Sequence, residues 1–139
     1  INEIDVDRCL QMLLLHDLVE IDAGDAPIHA QLDFEAIAAK ESRAADRLFG
    51  LLPQTQSSEF RDLWDEFETS ESNDAIFAKS IDRVQPVLLN LLSGGTSWVK
   101  YDVTLRQVED RVGLKVSRGA PDVWQHVHAR IKPWFLRYT

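Results

Sequence analysis

Apolar residues along this chain recur at intervals of three and four rather than two, the period of a helix face and not of a strand. The opening segment carries Ile4, Cys9, Leu10, Leu13, Leu14 and Leu18 at that spacing, and Met12 and Leu15 thicken the stripe until the helix is apolar nearly all round. Such a pattern predicts a central helix. The stretch AGDAP, Ala23 to Pro27, breaks it, and a loop through His29 leads to a second helix from about Asp33 to Leu52, with Phe34, Ile37, Ala38, Ala45, Leu48 and Phe49 inward. Pro53 stops that helix. Ser57 or Ser58 can cap a third, which holds Phe60, Leu63, Trp64 and Phe67 and turns Arg61, Asp62, Asp65, Glu66 and Glu68 outward.

A fourth helix is predicted from Ser72 or Asn73 to about Leu92, with Phe77, Ile81, Val84, Leu88 and Leu91 as its seam and a kink at Pro86. Gly94 and Gly95 end it. After the loop GGTSWVKYD, Thr104 can cap a short helix to about Val112, and APDVWQHVHARIKPWFLRY reads as a final helix bent at Pro133. Strand alternation is absent apart from SWVKYDV, which could form a short extended piece, and there is no internal repeat. The expected class is all-α, one helical domain spanning residues 1–139.

Composition narrows what such a domain can do. Its 139 residues are 45% hydrophobic and 27% charged, a globular balance, and no apolar run approaches the ~20 residues a membrane span needs. The formal net charge of -8 disfavours binding that depends on neutralising a nucleic-acid backbone. A small phosphorylated ligand stays compatible if a cation screens it. The lone Cys9 has no internal disulfide partner and sits in an apolar pattern, which fits a reducing, cytoplasmic setting. The opening INEIDVDRC lacks the basic start and cleavage pattern of a signal peptide.

Chemistry concentrates in LLLHDLVEIDAGD, Leu13 to Asp25, where an apolar helix runs out into a histidine and four carboxylates. On a helix Asp17 and Glu20 lie three apart and His16 and Glu20 four apart, so the three share one end and roughly one face. A carboxylate among leucines is costly to desolvate, and a divalent cation held by an imidazole nitrogen and carboxylate oxygens offsets that cost. The negative end of the helix dipole also favours a cation. The dipeptide alone does not separate this from a histidine capping a helix end beside a salt-bridged aspartate. Asp82, at the margin of the fourth helix's seam, can likewise reach inward or pair along its own helix. Gly24 explains itself as a helix C-cap or as a turn that places Asp25. Asp22 is left as surface.

Taken in order, LLLHDLVEIDAGD, RLFGLLP, LWDEFE and FAKSIDRVQPVLLNL resemble the HD-domain metal-dependent phosphohydrolases, in the branch that includes 5'-deoxynucleotidases. The similarity runs from about Val6 to the end of the chain. It implies a helical fold and a divalent metal (Mn, Co, Mg, Fe or Zn) held by a histidine, the adjacent His-Asp pair and a distant Asp. By motif match His16, Asp17 and Asp82 would be three of those ligands. A glutamate and an aspartate that flank the attacking water in the family match Glu20 and Asp25, which the resemblance makes catalytic. Carboxylates suit that work, since they can orient a water or protonate a leaving alkoxide.

The family's first metal histidine lies on helices that would precede Ile1, so the resemblance implies that the domain continues upstream of residue 1. His29 could substitute for it, although relatives do not imply that. His126 and His128, two apart on one helix, point to different faces and cannot easily share a metal, one being expected in the core and one at the surface. By their proximity in the family pattern, the resemblance makes Lys79, Arg83, Lys40 and Arg43 candidates for holding phosphate. The tryptophans read as packing, except that Trp98 follows a double glycine and could close over a site.

Two functions stand against each other on this reading. One is a metal-dependent phosphohydrolase releasing phosphate from nucleoside monophosphates or similar esters. The other is a catalytically inactive helical interaction module in which the cluster is a structural network and exposed apolar helices meet a protein partner or form a homodimer.

Overall fold

A computed structural model of the chain describes residues 3–24 and 33–138, so Asp25 and His29 lie outside the described residues. Helix α1 (Val6–Leu15) is capped by Asp5, whose carboxylate accepts from the Arg8 amide at 3.0 Å. It tightens into a 3-10 turn (His16–Val19) and resumes as α2 (Glu20–Ala23), ending at Gly24 with φ +74°. Helix α3 (Phe34–Phe49) starts on an Asp33 cap, and α4 (Gln54–Thr69) follows Pro53 directly. Helix α5 (Asn73–Leu92), capped by Ser72, runs on through Pro86. Short helices α6 (Thr96–Lys100) and α7 (Leu105–Val108), a π turn (Glu109–Gly113) and α8 (Leu114–Gly119) lead to α9 (Pro121–Tyr138). The described residues are helical and contain no strand, as the periodicity predicts.

Three local differences have physical causes. Pro53 serves as the N-cap of α4, its carbonyl accepting from the Ser57 amide at 2.9 Å, so the two serines fall inside the first turn instead of capping it. SWVKYDV is not extended. Gly94 and Gly95 take φ of +72° and +85°, and the Asn90 side chain accepts from the Ser97 amide at 3.0 Å, which sets residues 96–100 into a helical turn. Nor is α1 wrapped on all sides: Cys9, Met12, Leu15, Val19 and Ala23 are buried, while Leu10, Leu14, Leu18 and Ile21 are exposed, Leu14 at 75%. The helix packs through one face onto α4 and α5, and its other apolar face is bare.

Two apolar clusters share α5. The first joins Cys9, Met12, Leu15 and Val19 of the opening helices to Ala44, Ala45 and Phe49 of α3, Leu63, Trp64 and Phe67 of α4, and Ala75 and Ala78 of α5. The second gathers Val84, Val87, Trp98, Val108, Val116, Val127, Ile131 and Phe135, with Trp124 and Trp134 packed at its edge. Polar ties fasten the first cluster. Arg8 binds Glu66, which also accepts from Ser72 at 2.6 Å, so α1, α4 and the α5 cap meet at one carboxylate. Arg61 joins α4 to α3 through Ser42 and Asp46, and pairs with Asp65 on its own helix.

Candidate metal centre

His16 sits where the α-helix gives way to the 3-10 turn, and the tightened turn puts its neighbour Asp17 on the same side of the imidazole. Its ring lies against Phe67, centroids 4.5 Å apart, and only 13% of the side chain is exposed. Nδ1 is 2.8 Å from the carbonyl oxygen of Leu13. Nε2 faces outward to Asp17 Oδ1 at 2.9 Å and to Asp82 Oδ1 at 3.4 Å, with the two carboxylates 69% and 43% exposed. Asp82 reaches this point across 65 intervening positions because Ala75 and Ala78, both fully buried, let α5 lie close along α1. Larger side chains there would hold the two helices apart.

The hydrogen bonding fixes the chemistry of the cluster. A carbonyl oxygen only accepts, so Nδ1 carries the ring proton and, in the neutral imidazole, Nε2 presents a lone pair to two carboxylate oxygens. Three acceptors facing one another require positive charge. A proton on Nε2 supplies it in the metal-free chain: desolvation by burial pulls the His16 pKa down, but the Asp82 hydrogen bond and the charges of Asp17 and Asp82 outweigh it and the net shift is upward. A divalent cation would supply it equally. Two ligands each about 2.1 Å from one ion lie about 2.9 to 3.4 Å apart when they subtend roughly 90° to 110°. The two separations at Nε2 match that spacing, and one imidazole with two carboxylates suits such an ion. Among the described residues, however, no three His, Cys, Asp or Glu form a ready cage.

The remaining expected site residues distribute as follows. Glu20 is exposed at the first position of α2, one turn beyond His16. Asp25 lies outside the described residues. Asp22 is surface, and its carboxylate is held by Arg47, which lowers its pKa by hydrogen bonding. Trp98 is buried against Trp134 and Phe135 in the second cluster, so it is a core ring and no lid. His126 is exposed, and His128, half-buried beside Trp124, meets Glu109 at 2.7 Å; neither is core.

Lys40 and Arg43 are exposed on α3, whereas Lys79 bonds the Glu68 carbonyl at 3.0 Å and lies over the Phe67 ring. Sequence reasoning missed Glu41. It is half-buried near Glu68 and Lys79, and burial first, then the Glu68 charge, raises its pKa despite Lys79. Its position four residues after Ile37 and three before Ala44, on the inner face of α3, was the available signal.

A family model described as HD domain matches residues 1–124. The 5'-deoxynucleotidase HDDC2 of Homo sapiens is 31% identical over 87 residues, 63% of this chain and 43% of its own length. The same-named protein of Bos taurus is 34% identical over 82 residues, 59% of this chain and 40% of its own. The chain therefore spans less than half the length of these curated relatives. A crystal structure of a predicted metal-dependent phosphohydrolase from Magnetospirillum magnetotacticum superposes with a TM-score of 0.88 at 38% identity, covering 99% of this chain and 68% of that one.

Proposed function

The chain belongs to the HD-domain family, and from that premise we propose that it is a metal-dependent phosphohydrolase acting on small phosphate esters, nucleoside monophosphates foremost. The observation that supports this reading best is the His16 imidazole presenting Nε2 to Asp17 and Asp82 at 2.9 and 3.4 Å, an arrangement that needs positive charge, which a divalent ion would supply. His16, Asp17 and Asp82 would hold the divalent metal, with Leu13 fixing the imidazole tautomer. When bound, such a cation supplies Lewis acidity toward a phosphate oxygen. Glu20, exposed one turn away, would move a proton between water and the leaving alkoxide, and Asp25 is proposed as its partner in orienting that water. The substrate class rests on the relatives, named as 5'-deoxynucleotidases.

We also propose that the helical domain continues upstream of residue 1. The bare apolar stripe of Leu10, Leu14 and Ile21 on the opening helices is what a further packed helix would bury. The test is phosphate release from a panel of nucleoside monophosphates with and without manganese or cobalt, using the 139-residue chain, an upstream-extended chain and its Asp82→Asn variant. Metal-dependent release by the extended chain, lost on substitution, is expected. No release from any of them, together with unchanged helix content, would move the reading to a helical interaction module. The direct His16–carboxylate contacts and the bare stripe favour that second reading, in which a protein partner or a second copy covers the stripe.

A further inference from the structure

A cavity of about 300 Å³ opens between the end of α4, the first half of α5 and α8, lined by Glu68, Ile76, Lys79, Arg83, Lys115 and Arg118 among others. Four cations and one carboxylate face it, in a chain whose net charge is -8. Lys79 is occupied by Glu68, through the carbonyl at 3.0 Å and the carboxylate at 3.4 Å. Arg83, Lys115 and Arg118 have no ion pair or hydrogen bond with any described residue. Acidic side chains are abundant on this protein, so three unpaired cations around one concavity are not the default outcome of a solvated surface.

The spacing of these cations is built by the fold. Helix α8 meets α5 through Gly119, where a Cβ would stand 2.5 Å from the Ile76 carbonyl oxygen and against the Ser80 hydroxyl. Ser80 is itself buried and donates to Ile76 O at 2.7 Å, so the hydroxyl that Gly119 lies against is satisfied within α5. That contact brings Lys115 and Arg118 of α8 beside Lys79 and Arg83 of α5. Like charges held this close repel unless an anion lies between them. Arginine guanidinium groups with free donors suit the oxygens of a phosphate, which they bind in pairs of parallel hydrogen bonds.

We infer that this cavity is a binding site for a small phosphate-bearing anion, with Arg83, Lys115 and Arg118 as its holding groups and Lys79, braced by Glu68, as its floor. It is separate from the His16 cluster but adjoins it: Phe67 touches His16 on one side and Lys79 on another, and Asp82 is one turn from Lys79. Binding here requires no metal, so the inference does not rest on the hydrolase reading. Inorganic phosphate and the phosphate group of a nucleotide share the chemistry, and affinity separates them.

The experiment is titration of the metal-free protein, in the presence of chelator, with inorganic phosphate and with deoxyadenosine monophosphate, followed by calorimetry and by melting temperature. Saturable binding is expected, with a rise in melting temperature that follows ligand concentration. Lys115→Glu with Arg118→Glu, both exposed on α8, should weaken it at least tenfold at unchanged helix content, and Arg83→Gln should weaken it without reversing a charge. Reversing Arg130 and Lys132 on α9, outside the cavity, shifts the net charge equally and should leave it intact. Tighter binding of the nucleotide than of phosphate would assign a nucleoside phosphate; equal binding would assign the phosphate group alone. The inference is overturned by the absence of saturable binding, by equal loss in the α8 and α9 double variants, or by a duplex oligonucleotide outcompeting both small ligands. Failure of metal-dependent hydrolysis with this binding retained would sink only the hydrolase proposal.

Discussion

The two apolar clusters share one helix and both bury rings, Phe49, Trp64 and Phe67 in the first and Trp98 and Phe135 in the second, but α5 meets them with different residues. Toward the candidate metal centre α5 presents alanines, Ala75 and Ala78, both fully buried, and Arg8, Arg61 and Glu66 fasten the neighbouring helices at the rim. Toward its other end α5 presents Val84 and Val87, and the rings there pack on one another. Trp98 meets Trp134 at 5.0 Å and Phe135 at 4.8 Å, and Trp134 stacks on Tyr138 at 4.6 Å. A site assembled from side chains on different helices needs backbones close enough for short carboxylates to meet an imidazole, and small residues allow that. A region that only has to hold together gains more from the large apolar area of aromatic rings. On the proposed function, close helix approach at the first end suits chemistry, and packed rings at the second suit stability.

Glu20→Gln tests the first assignment and carries the largest expected effect. If Glu20 acts as general acid or base, turnover should fall by roughly 10² to 10⁴-fold while bound metal is retained. Glu20 is exposed, so its melting temperature should barely move. Loss of metal, measured by atomic absorption after desalting, would reassign it as a ligand, and an unchanged rate would remove it from the chemistry. Trp98→Ala tests the second assignment. Truncating this buried ring should cost about 3–5 kcal/mol by urea denaturation, leaving the rate per folded molecule unchanged. A selective loss of rate in the folded fraction would restore Trp98 to a role at the site.

The sequence carried more of this picture at the site than at the helix ends. The helical period alone gave α3, α5 and α9 nearly in full, because each buries one face at intervals of three and four. His16 and Asp17 were legible as a cluster, since neighbouring residues at a helix end stay neighbours in space. The meeting of Asp82 with His16 was not derivable from spacing; only the ordered motifs pointed to it, and the physical cause, alanines at 75 and 78, is a packing property of two helices at once. SWVKYDV, residues 97–103, could form an extended piece by local pattern alone; the tie that makes its first half helical, Asn90 to the Ser97 amide, starts in the preceding helix. The basic cavity had half its members in view, Lys79 and Arg83. Its other half depends on how closely α8 approaches at Gly119, a tertiary distance that local pattern does not encode.

Ala78→Leu sharpens the comparison by importing the second region's material into the first. Ala78 has no exposed surface, and a longer side chain there should cost about 1–3 kcal/mol through overpacking. It should also separate α5 from α1 and so weaken metal retention, which a matched change such as Val84→Leu, in the ring-filled cluster, should not do. Equal metal affinity in the two variants, read from manganese-dependent melting shifts, would show that close approach at Ala78 does not set the distance from Asp82 to His16.

The smallest expected effect concerns the rim. The Arg8 hydrogen bond, with help from Ser72 and the Arg8 charge, holds the Glu66 carboxyl below its ordinary value of 4.5, against the upward push of partial burial. A carboxylate whose folded pKa is depressed adds stability that is fully present above the unfolded value and is lost as pH falls through the folded one. Arg8 is 41% exposed, so solvent screening limits the contribution to about 1 kcal/mol or less. Glu66→Gln should therefore lower stability slightly at neutral pH, and the gap to the unsubstituted chain should narrow as pH drops below 4.5. The ring contacts of the second cluster carry no charge, so Trp98→Ala should show a gap that stays constant over the same range. Urea midpoints taken from neutral pH down to about pH 3 would decide it. A Glu66→Gln gap as flat as that of Trp98→Ala would mean that Glu66 acts through hydrogen bonding and packing, with its charge irrelevant to how the three helices are joined.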